Sequence, residues 1–288
     1  PAAPSTFYAA AGFHLYRSDD GGATWGVFAA GLNRDFGIRD LVLDRRDPDL
    51  LYAVGLGGIY RSRDRGETWA RLLAQDAYTL VTVDGRTLLA GTGTGLLRST
   101  DAGRTWKEVL QASLPRSVRL PQRNVFWLKN DPAAPSTIYG RASEYRLVPD
   151  QTTTFLIRST DGGATWQKLR DFYTLGISPR DPNTLYAAYF YDVFRSTNGG
   201  RTWTVIYHLD GTTISEVEVD PFDPRTIYLG TNGEGVLVSR DGGATWQPAN
   251  AGLARQGRQE IHDFSFNPGV PGLVYALPLE GGLYKAEF

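Results

Sequence analysis

"SDDGGATW", residues 18–25, recurs in altered form as SRDRGETW at 62–69, STDAGRTW at 99–106, STDGGATW at 159–166, STNGGRTW at 196–203 and SRDGGATW at 239–246. The shared pattern is Ser-x-Asp-x-Gly-x-Thr-Trp, with Asn198 replacing the acid once. Its six copies take Trp25, Trp69, Trp106, Trp166, Trp203 and Trp246, and only Trp127 lies outside. Seen once, two acids, two glycines and a tryptophan would pass for a ligand loop. Seen six times they read as architecture, because one residue set repeated along a chain gives chemistry no single focus. The residue types also suit a turn. The carboxylates of Asp20, Asp64, Asp101, Asp161 and Asp241, and the amide of Asn198, are short enough to accept hydrogen bonds from their own turn's backbone. Glycine supplies a positive φ, and the indole buries a large ring against the neighbouring strands. The arginine just before the octet, at Arg17, Arg61, Arg98, Arg158 and Arg195, recurs in the same way and takes the same reading.

The flanks repeat too. Two short apolar runs precede each octet, as in LLYAVG then GIYRS or TIYLGT then GVLVS, and the glycine or loop between them predicts a hairpin. After the octet come a run opening at the Trp, a variable loop, and an alternating run such as IRDLVLD. That run usually closes on Asp-Pro, where proline has no N–H for a strand ladder. Four strands per unit result, with no helical periodicity of useful length. On the last run of each unit, Leu41/Leu43, Val81/Val83, Phe126/Leu128, Leu175/Ile177, Val217/Val219 and Phe264/Phe266 fall on one phase, which is expected to face the core.

Hairpins are predicted near 6–17, 50–61, 87–98, 137–158, 184–195, 226–238 and 273–287. At about 41 residues per unit, the expectation is a single all-β domain over 1–288, a seven-bladed β-propeller of four-stranded antiparallel blades. PAAPSTFY at 1–8 nearly copies PAAPSTIY at 132–139, which places the start after a missing first inner strand; the end falls before a last outer strand. Either the ring closes imperfectly with 26 strands, or further residues belong at both ends and the chain is one propeller of a longer protein.

Composition narrows the function classes. The net charge is −1, so nothing in the overall charge favours nucleic acid. No apolar run approaches the roughly 20 residues that cross a bilayer, so direct membrane insertion is not expected. The absence of cysteine excludes disulfides, thiol nucleophiles and thiolate metal sites. No His-x-x-x-His spacing and no serine-nucleophile motif occurs, and neither a metal nor a cofactor is expected. His14, His208 and His262 each fall near a predicted loop, the last beside Asp263 and two residues after Glu260; a lone histidine there is ordinarily a solvated loop residue.

The functional candidates are the segments that do not repeat. If the first strand of a blade runs from top to bottom, the octets lie on the bottom. The fourth-to-first and second-to-third connections then lie on top, and unique loops on a rigid scaffold usually carry function. Intervals between the octet tryptophans are 44, 37, 60, 37 and 43, so the third holds an excess. QASLPRSVRLPQRN (111–124) and RASEYRLVPDQTTT (141–154), expected as adjacent top loops of one blade, account for it. The first brings Arg116, Arg119 and Arg123 with no acid; the second brings Arg141, Tyr145 and Arg146. ANAGLARQG (249–257) adds Arg255, with Arg258 next to it. Guanidinium forks match carboxylates, so these residues are candidates for gripping an acidic partner. Against this stand top-face acids that would neutralise them: Asp35, Asp40, Asp192, Glu216, Glu260 and Asp263.

The octet resembles the Asp-box of the sialidase-like, BNR-repeat β-propeller superfamily. That resemblance implies a turn between the third and fourth strand of each blade. For sialidases it also implies an arginine triad, a Tyr/Glu nucleophile pair and an Asp acid. Their Arg-Ile-Pro signature is absent, and Tyr145, Tyr173, Tyr189 and Tyr191 are available as nucleophiles with none singled out. Xyloglucan-cleaving relatives place their cleft between two propellers, where this chain has one, and glycoside hydrolysis needs two carboxylates at a set gap. The architecture is also similar to propellers that serve as photosystem II assembly and stability factors. The expectation is a non-catalytic, extracytoplasmic or secreted binding scaffold presenting its top face to a protein or carbohydrate partner. The alternative is an exo-acting, sialidase-like glycoside hydrolase.

Overall fold

The computed structural model describes residues 6–11, 14–28, 32, 37–44, 46–110, 123–147, 150–250, 259–266, 270–278 and 284–287. The chain forms two compact units, one of residues 1–130 with 135–168, the other of 131–134 with 169–288. Among the described residues the regular structure is all strand, so no helix is long and apolar enough to cross a membrane.

The first unit holds four antiparallel sheets in chain order. The first comprises β1 (Phe7–Ala11), β2 (His14–Ser18) and β3 (Gly26–Val27). The second comprises β4 (Ile38–Leu43), β5 (Leu51–Gly55), β6 (Gly58–Ser62) and β7 (Ala70–Leu73). The third comprises β8 (Ala77–Thr82), β9 (Leu88–Thr92), β10 (Leu96–Ser99) and β11 (Lys107–Glu108). The fourth comprises β12 (Arg123–Asn130), β13 (Ile138–Leu147), β14 (Asp150–Ser159) and β15 (Gln167–Lys168).

The second unit opens with a sheet of β16 (Thr174–Ile177), β17 (Leu185–Tyr189), β18 (Asp192–Ser196) and β19 (Thr204–His208). Then follow β20 (Ile214–Val219), β21 (Ile227–Gly233), β22 (Val236–Ser239) and β23 (Gln247–Pro248), and after them β24 (Gln259–Phe266), β25 (Leu273–Pro278) and β26 (Tyr284–Glu287). These last seven strands form one sheet, so there are six blades among the described residues where seven were expected. The cause is local. β21 runs past its hairpin pairing at Gly230↔Val236, and the backbone it leaves open is taken by β24 at Asn232↔Glu260 and Gly233↔Gln259. An open strand edge is a template for the next strand to arrive.

The second strand of a blade is its most buried. Leu51–Gly55 and Leu88–Thr92 are buried throughout, because each is covered on both faces by other sheets. Within the first unit, Tyr52, Val54 and Ile59 pack with Ala77, Leu80, Leu88 and Ala90 of the next blade. Within the second, Tyr186 and Ala188 pack with Ile214, Val217 and Leu229. First strands of successive blades are also stitched by hydrogen bonds at one level. Leu80 N donates to Asp40 Oδ2 (3.4 Å), Leu128 N to Thr79 Oγ1 (3.4 Å) and Val217 N to Thr174 Oγ1 (3.3 Å).

Two expectations are corrected here. The excess 141–154 is not a loop. It prolongs β13 and β14 into ten-residue strands paired through Tyr145↔Thr152 and Leu147↔Asp150. The run Thr152–Thr154 is β-branched and favours a pleated strand. Nor is the presumed core phase uniform: Leu43 is 42% exposed and Phe126 is half-buried. A register shift between Val125 and Trp127 lifts Phe126 out of the alternation, since one extra residue in a strand re-aims the side chain it carries.

Candidate functional site

Each octet connects two neighbouring antiparallel strands, β2 to β3 in the first sheet and the third to the fourth in the four-stranded sheets, and folds on a shared set of bonds, from which the indole bond is missing at Trp69. In the first, Ser18 Oγ donates to Asp20 Oδ1 (2.7 Å), Thr24 N to the same oxygen (2.9 Å) and Thr24 Oγ1 to Oδ2 (2.5 Å). Gly22 N donates to Ser18 Oγ (2.8 Å), and Trp25 Nε1 donates to Gly22 O (3.0 Å). The Thr24 donors, then the Ser18 hydroxyl, hold the Asp20 carboxylate down at about 2, and Thr68 and Ser62 do the same for Asp64. Asp101 and Asp241 are lowered further, first by the hydroxyls of Thr105 and Thr245. At Asp161 burial opposes the same donors, and the net direction is still downward. Asn198 keeps the geometry with one bond reversed: its Nδ2 donates to Thr202 Oγ1 (2.8 Å). Trp69 and Trp166 are buried; Trp25 is exposed.

The arginine before the octet reaches forward to the next octet. Arg17 Nη1 donates to Arg65 O (3.2 Å), Arg61 Nη1 to Ala102 O (3.0 Å) and Arg98 Nε to Gly162 O (2.9 Å). Each acceptor is the octet's fourth residue, held at a φ of 60°, 61° and 67° respectively. In the first unit, then, one blade's arginine ties down the left-handed corner of the next blade's turn.

At the other end of the blades a different device recurs. The first strands carry a register shift at one level: between Ile38 and Asp40, Ala77 and Thr79, Val125 and Trp127, Ile214 and Glu216, and Ile261 and Asp263. The residues lifted out of register are Arg39, Tyr78, Phe126, Ser215 and His262. Tyr173, just before β16 and donating its N–H to Ala188 O (3.1 Å), occupies the corresponding place. Bulges re-aim side chains, and here they re-aim a different one in each blade.

In the first unit these residues form a continuous run. The Arg39 guanidinium lies 4.3 Å over the Tyr78 ring, Tyr78 and Phe126 are 5.6 Å apart at 47°, and the Arg141 guanidinium lies 5.1 Å over Phe126. Arg39 is exposed and the other three are partly so. Asp40, beside Arg39, accepts from Thr79 Oγ1 (3.2 Å) and Leu80 N (3.4 Å) of the next blade.

In the second unit, three of the tyrosines read as possible nucleophiles come together. Tyr189 and Asp192 close the β17–β18 hairpin, leaving Phe190 and Tyr191 as its two-residue turn. Tyr173 stacks on Tyr189 (5.1 Å, 23°) and meets Phe190 edge-on (5.3 Å, 88°); Phe190 and Tyr191 are 6.3 Å apart at 29°. Burial, then the neighbouring Tyr189, pushes the Tyr173 phenol up. His208 Nδ1 lies 2.7 Å from Asp192 Oδ1 and its Nε2 3.4 Å from Asp210 Oδ1, and the bond to Asp192 raises the imidazole above its ordinary value. His262 Nε2 is 3.1 Å from Glu260 Oε1, while His14 is exposed, 6.2 Å from Tyr16.

Of the basic residues singled out in the sequence, Arg141 is placed in the run just described. Arg123 opens β12 opposite Glu144, and Tyr145 and Arg146 lie on β13 opposite Thr152 and Gln151. Arg116, Arg119, Arg255 and Arg258, with Asp35, lie outside the described residues. Among the described residues no three His, Asp or Glu side chains gather as a metal site. Arg39, Tyr78 and Phe126 were missed as site residues. The signal was present in the aligned runs IRDL, AYTL and VFWL, where the second position changes chemistry from blade to blade after an apolar first residue.

Comparisons with known proteins agree with this fold. The BNR/Asp-box repeat family matches residues 157–168, and the Sortilin family (Sortilin-Vps10, "Sortilin, neurotensin receptor 3") matches 191–280. No curated protein matches the sequence. Among solved structures, "YCF48 bound to D1 peptide" is 16% identical with a TM-score of 0.71, over 99% of this chain and 91% of that one. The GH74 xyloglucanase from Xanthomonas campestris is 20% identical with a TM-score of 0.73, over 100% of this chain and 50% of the enzyme. The extracellular domain of a putative hybrid two-component system from B. thetaiotaomicron is 14% identical with a TM-score of 0.71, this chain spanning 36% of its length. The repeated octet, the four-stranded antiparallel blades and these likenesses make the chain a β-propeller of the BNR, Asp-box type.

Proposed function

We propose that the chain is a non-catalytic, extracytoplasmic binding scaffold, and that the bulged end of its blades takes a carboxylate-bearing partner, protein or glycan. The observation that carries this is the run Arg39–Tyr78–Phe126–Arg141. Two guanidiniums are spread over two rings that touch each other. A guanidinium stacked on a ring is pre-organised, so it loses less conformational freedom when its N–H fork meets a carboxylate. The octets, by contrast, satisfy their own carboxylates internally and serve the fold. The likeness to YCF48, solved with a bound peptide, and to an extracellular bacterial domain supports the binding role and its location.

The test uses a fluorescently labelled (Glu-Gly)4 peptide. Wild type is expected to bind it, and Arg39→Ala to weaken binding about tenfold through the loss of one charge-assisted contact. Equal binding by the variant would overturn the site. The rival, glycoside hydrolysis, is favoured by the xyloglucanase likeness alone. Turnover in a panel of chromogenic glycosides by the folded protein would replace the scaffold reading.

A further inference from the structure

The turn "YFYD" at 189–192 occupies a place where other blades of the chain put glycine, as in Gly55-Leu56-Gly57-Gly58. It breaks two rules at once. Phe190 takes a φ of 51°, a region a bulky side chain avoids, and Tyr189, Phe190 and Tyr191 are 36%, 44% and 43% exposed. The conformation is nevertheless held firmly. Phe190 O accepts from Ile214 N and Tyr191 O from Leu209 N, both at 2.8 Å. A strained turn kept in place by its surroundings, with its rings left in water, is a recurrent mark of a binding element.

The rings form a corner. Tyr173 and Tyr189 lie nearly parallel, while Phe190 stands at 88° and 76° to them and Tyr191 continues its plane at 29°. Nine ring faces among the described residues are covered by a Lys or Arg of this chain, yet none of those cations lies over Tyr189, Phe190 or Tyr191. The rim is acidic. Asp171 acts on Tyr173, and Asp192 and Asp210 flank His208, the Asp210 side chain being 99% exposed. The His208 imidazole lies between Asp192 and Asp210, and Arg170 lies over Phe172 and Phe194. Electron-rich faces ringed by carboxylates complement a positive charge.

We propose that the aromatic corner Tyr173–Tyr189–Phe190–Tyr191 with its Asp192/Asp210 rim is a docking site for a basic peptide segment, an Arg or Lys side chain lying on the rings. This site is separate from the arginine run of the first unit and prefers a ligand of opposite charge. The experiment titrates labelled (Arg-Gly)4 and (Glu-Gly)4 against wild type and variants by fluorescence anisotropy, with octaproline and cellohexaose as competitors. Phe190→Gly and Tyr191→Ala should each weaken (Arg-Gly)4 about tenfold, and Asp210→Asn about threefold, with (Glu-Gly)4 binding unchanged. Phe190→Gly should keep or raise Tm, because glycine accepts the positive φ; a ring that served only packing would lower it. Absence of (Arg-Gly)4 binding, binding indifferent to these variants, or its displacement by octaproline or cellohexaose would overturn the proposal. Loss of (Glu-Gly)4 binding in Arg39→Ala is an independent result.

Discussion

The two ends of a blade obey opposite rules. At the octet end, six copies keep Ser, Thr and Trp and all but one keep Asp, so that five turns close on the same Thr-to-Asp bonds and the sixth closes on Asn198 with one bond reversed. At the bulged end the backbone device is shared, while the side chains run Arg39, Tyr78, Phe126, Tyr173, Ser215 and His262. One end repeats its chemistry and varies nothing that matters to the turn; the other repeats its geometry and varies its chemistry. Sameness marks what every blade needs in order to fold, and difference at a fixed place marks what the molecule can present to something else.

The broadest way to break the comparison is acid. The octet carboxylates are held below their ordinary value, Asp20 and Asp64 at about 2, against about 3.9 in an unfolded chain. As the pH falls, the unfolded chain therefore binds protons before the folded one does. Their contribution is complete above about pH 5 and is lost progressively as the pH falls toward 2. Urea midpoints measured from pH 7 down to 2 should drop across that window at several octets together. Replacing the five aspartates with asparagine, as position 198 already has it, should flatten the drop. A midpoint that stays level between pH 5 and 2.5 would mean that these turns do not sustain the fold.

A single methyl group gives the next largest effect. Gly163 has a φ of 81°, and a Cβ there would stand 2.5 Å from Leu89, a side chain with no exposure. Overpacking and left-handed strain then add, so Gly163→Ala should cost about 3 kcal/mol in denaturant unfolding. Arg39→Ala at the bulged end, exposed and away from the blade core, should stay within about 0.5 kcal/mol. Equal losses at the two sites would erase the distinction between a folding end and a presenting end.

How much of this was legible beforehand follows the same division. The octets were readable because repetition amplifies a weak motif, and the hairpins because turn residues punctuate them. The blade count failed where two backbone pairs join β21 to β24, since any side chain permits a backbone ladder and composition carries no trace of it. The bulges were invisible for a related reason. A one-residue slip leaves the pattern of apolar residues nearly intact, so Phe126 looked like core while standing beside Tyr78. Arg141 was found as a basic residue of an excess segment; its partner ring came from another strand, which no local pattern could supply.

The smallest effect is the sharpest test of the octet's design. Its fourth residue is glycine in Gly21, Gly162, Gly199 and Gly242 but Arg65 and Ala102 in the other two copies, where φ is still 60° and 61°. Those two copies therefore hold a Cβ where the backbone favours none, offset by a less flexible unfolded chain. Ala102→Gly removes the strain and leaves the Ala102 carbonyl in place for Arg61 Nη1. The two terms oppose, and the left-handed penalty is the larger, so the substitution should stabilise by about 0.5 kcal/mol. A rise in the urea midpoint with unchanged slope is the expected reading. A fall would mean that the Ala102 methyl group contributes packing, and that the turn's geometry is set by its side chains rather than by the hydrogen bonds around Asp101.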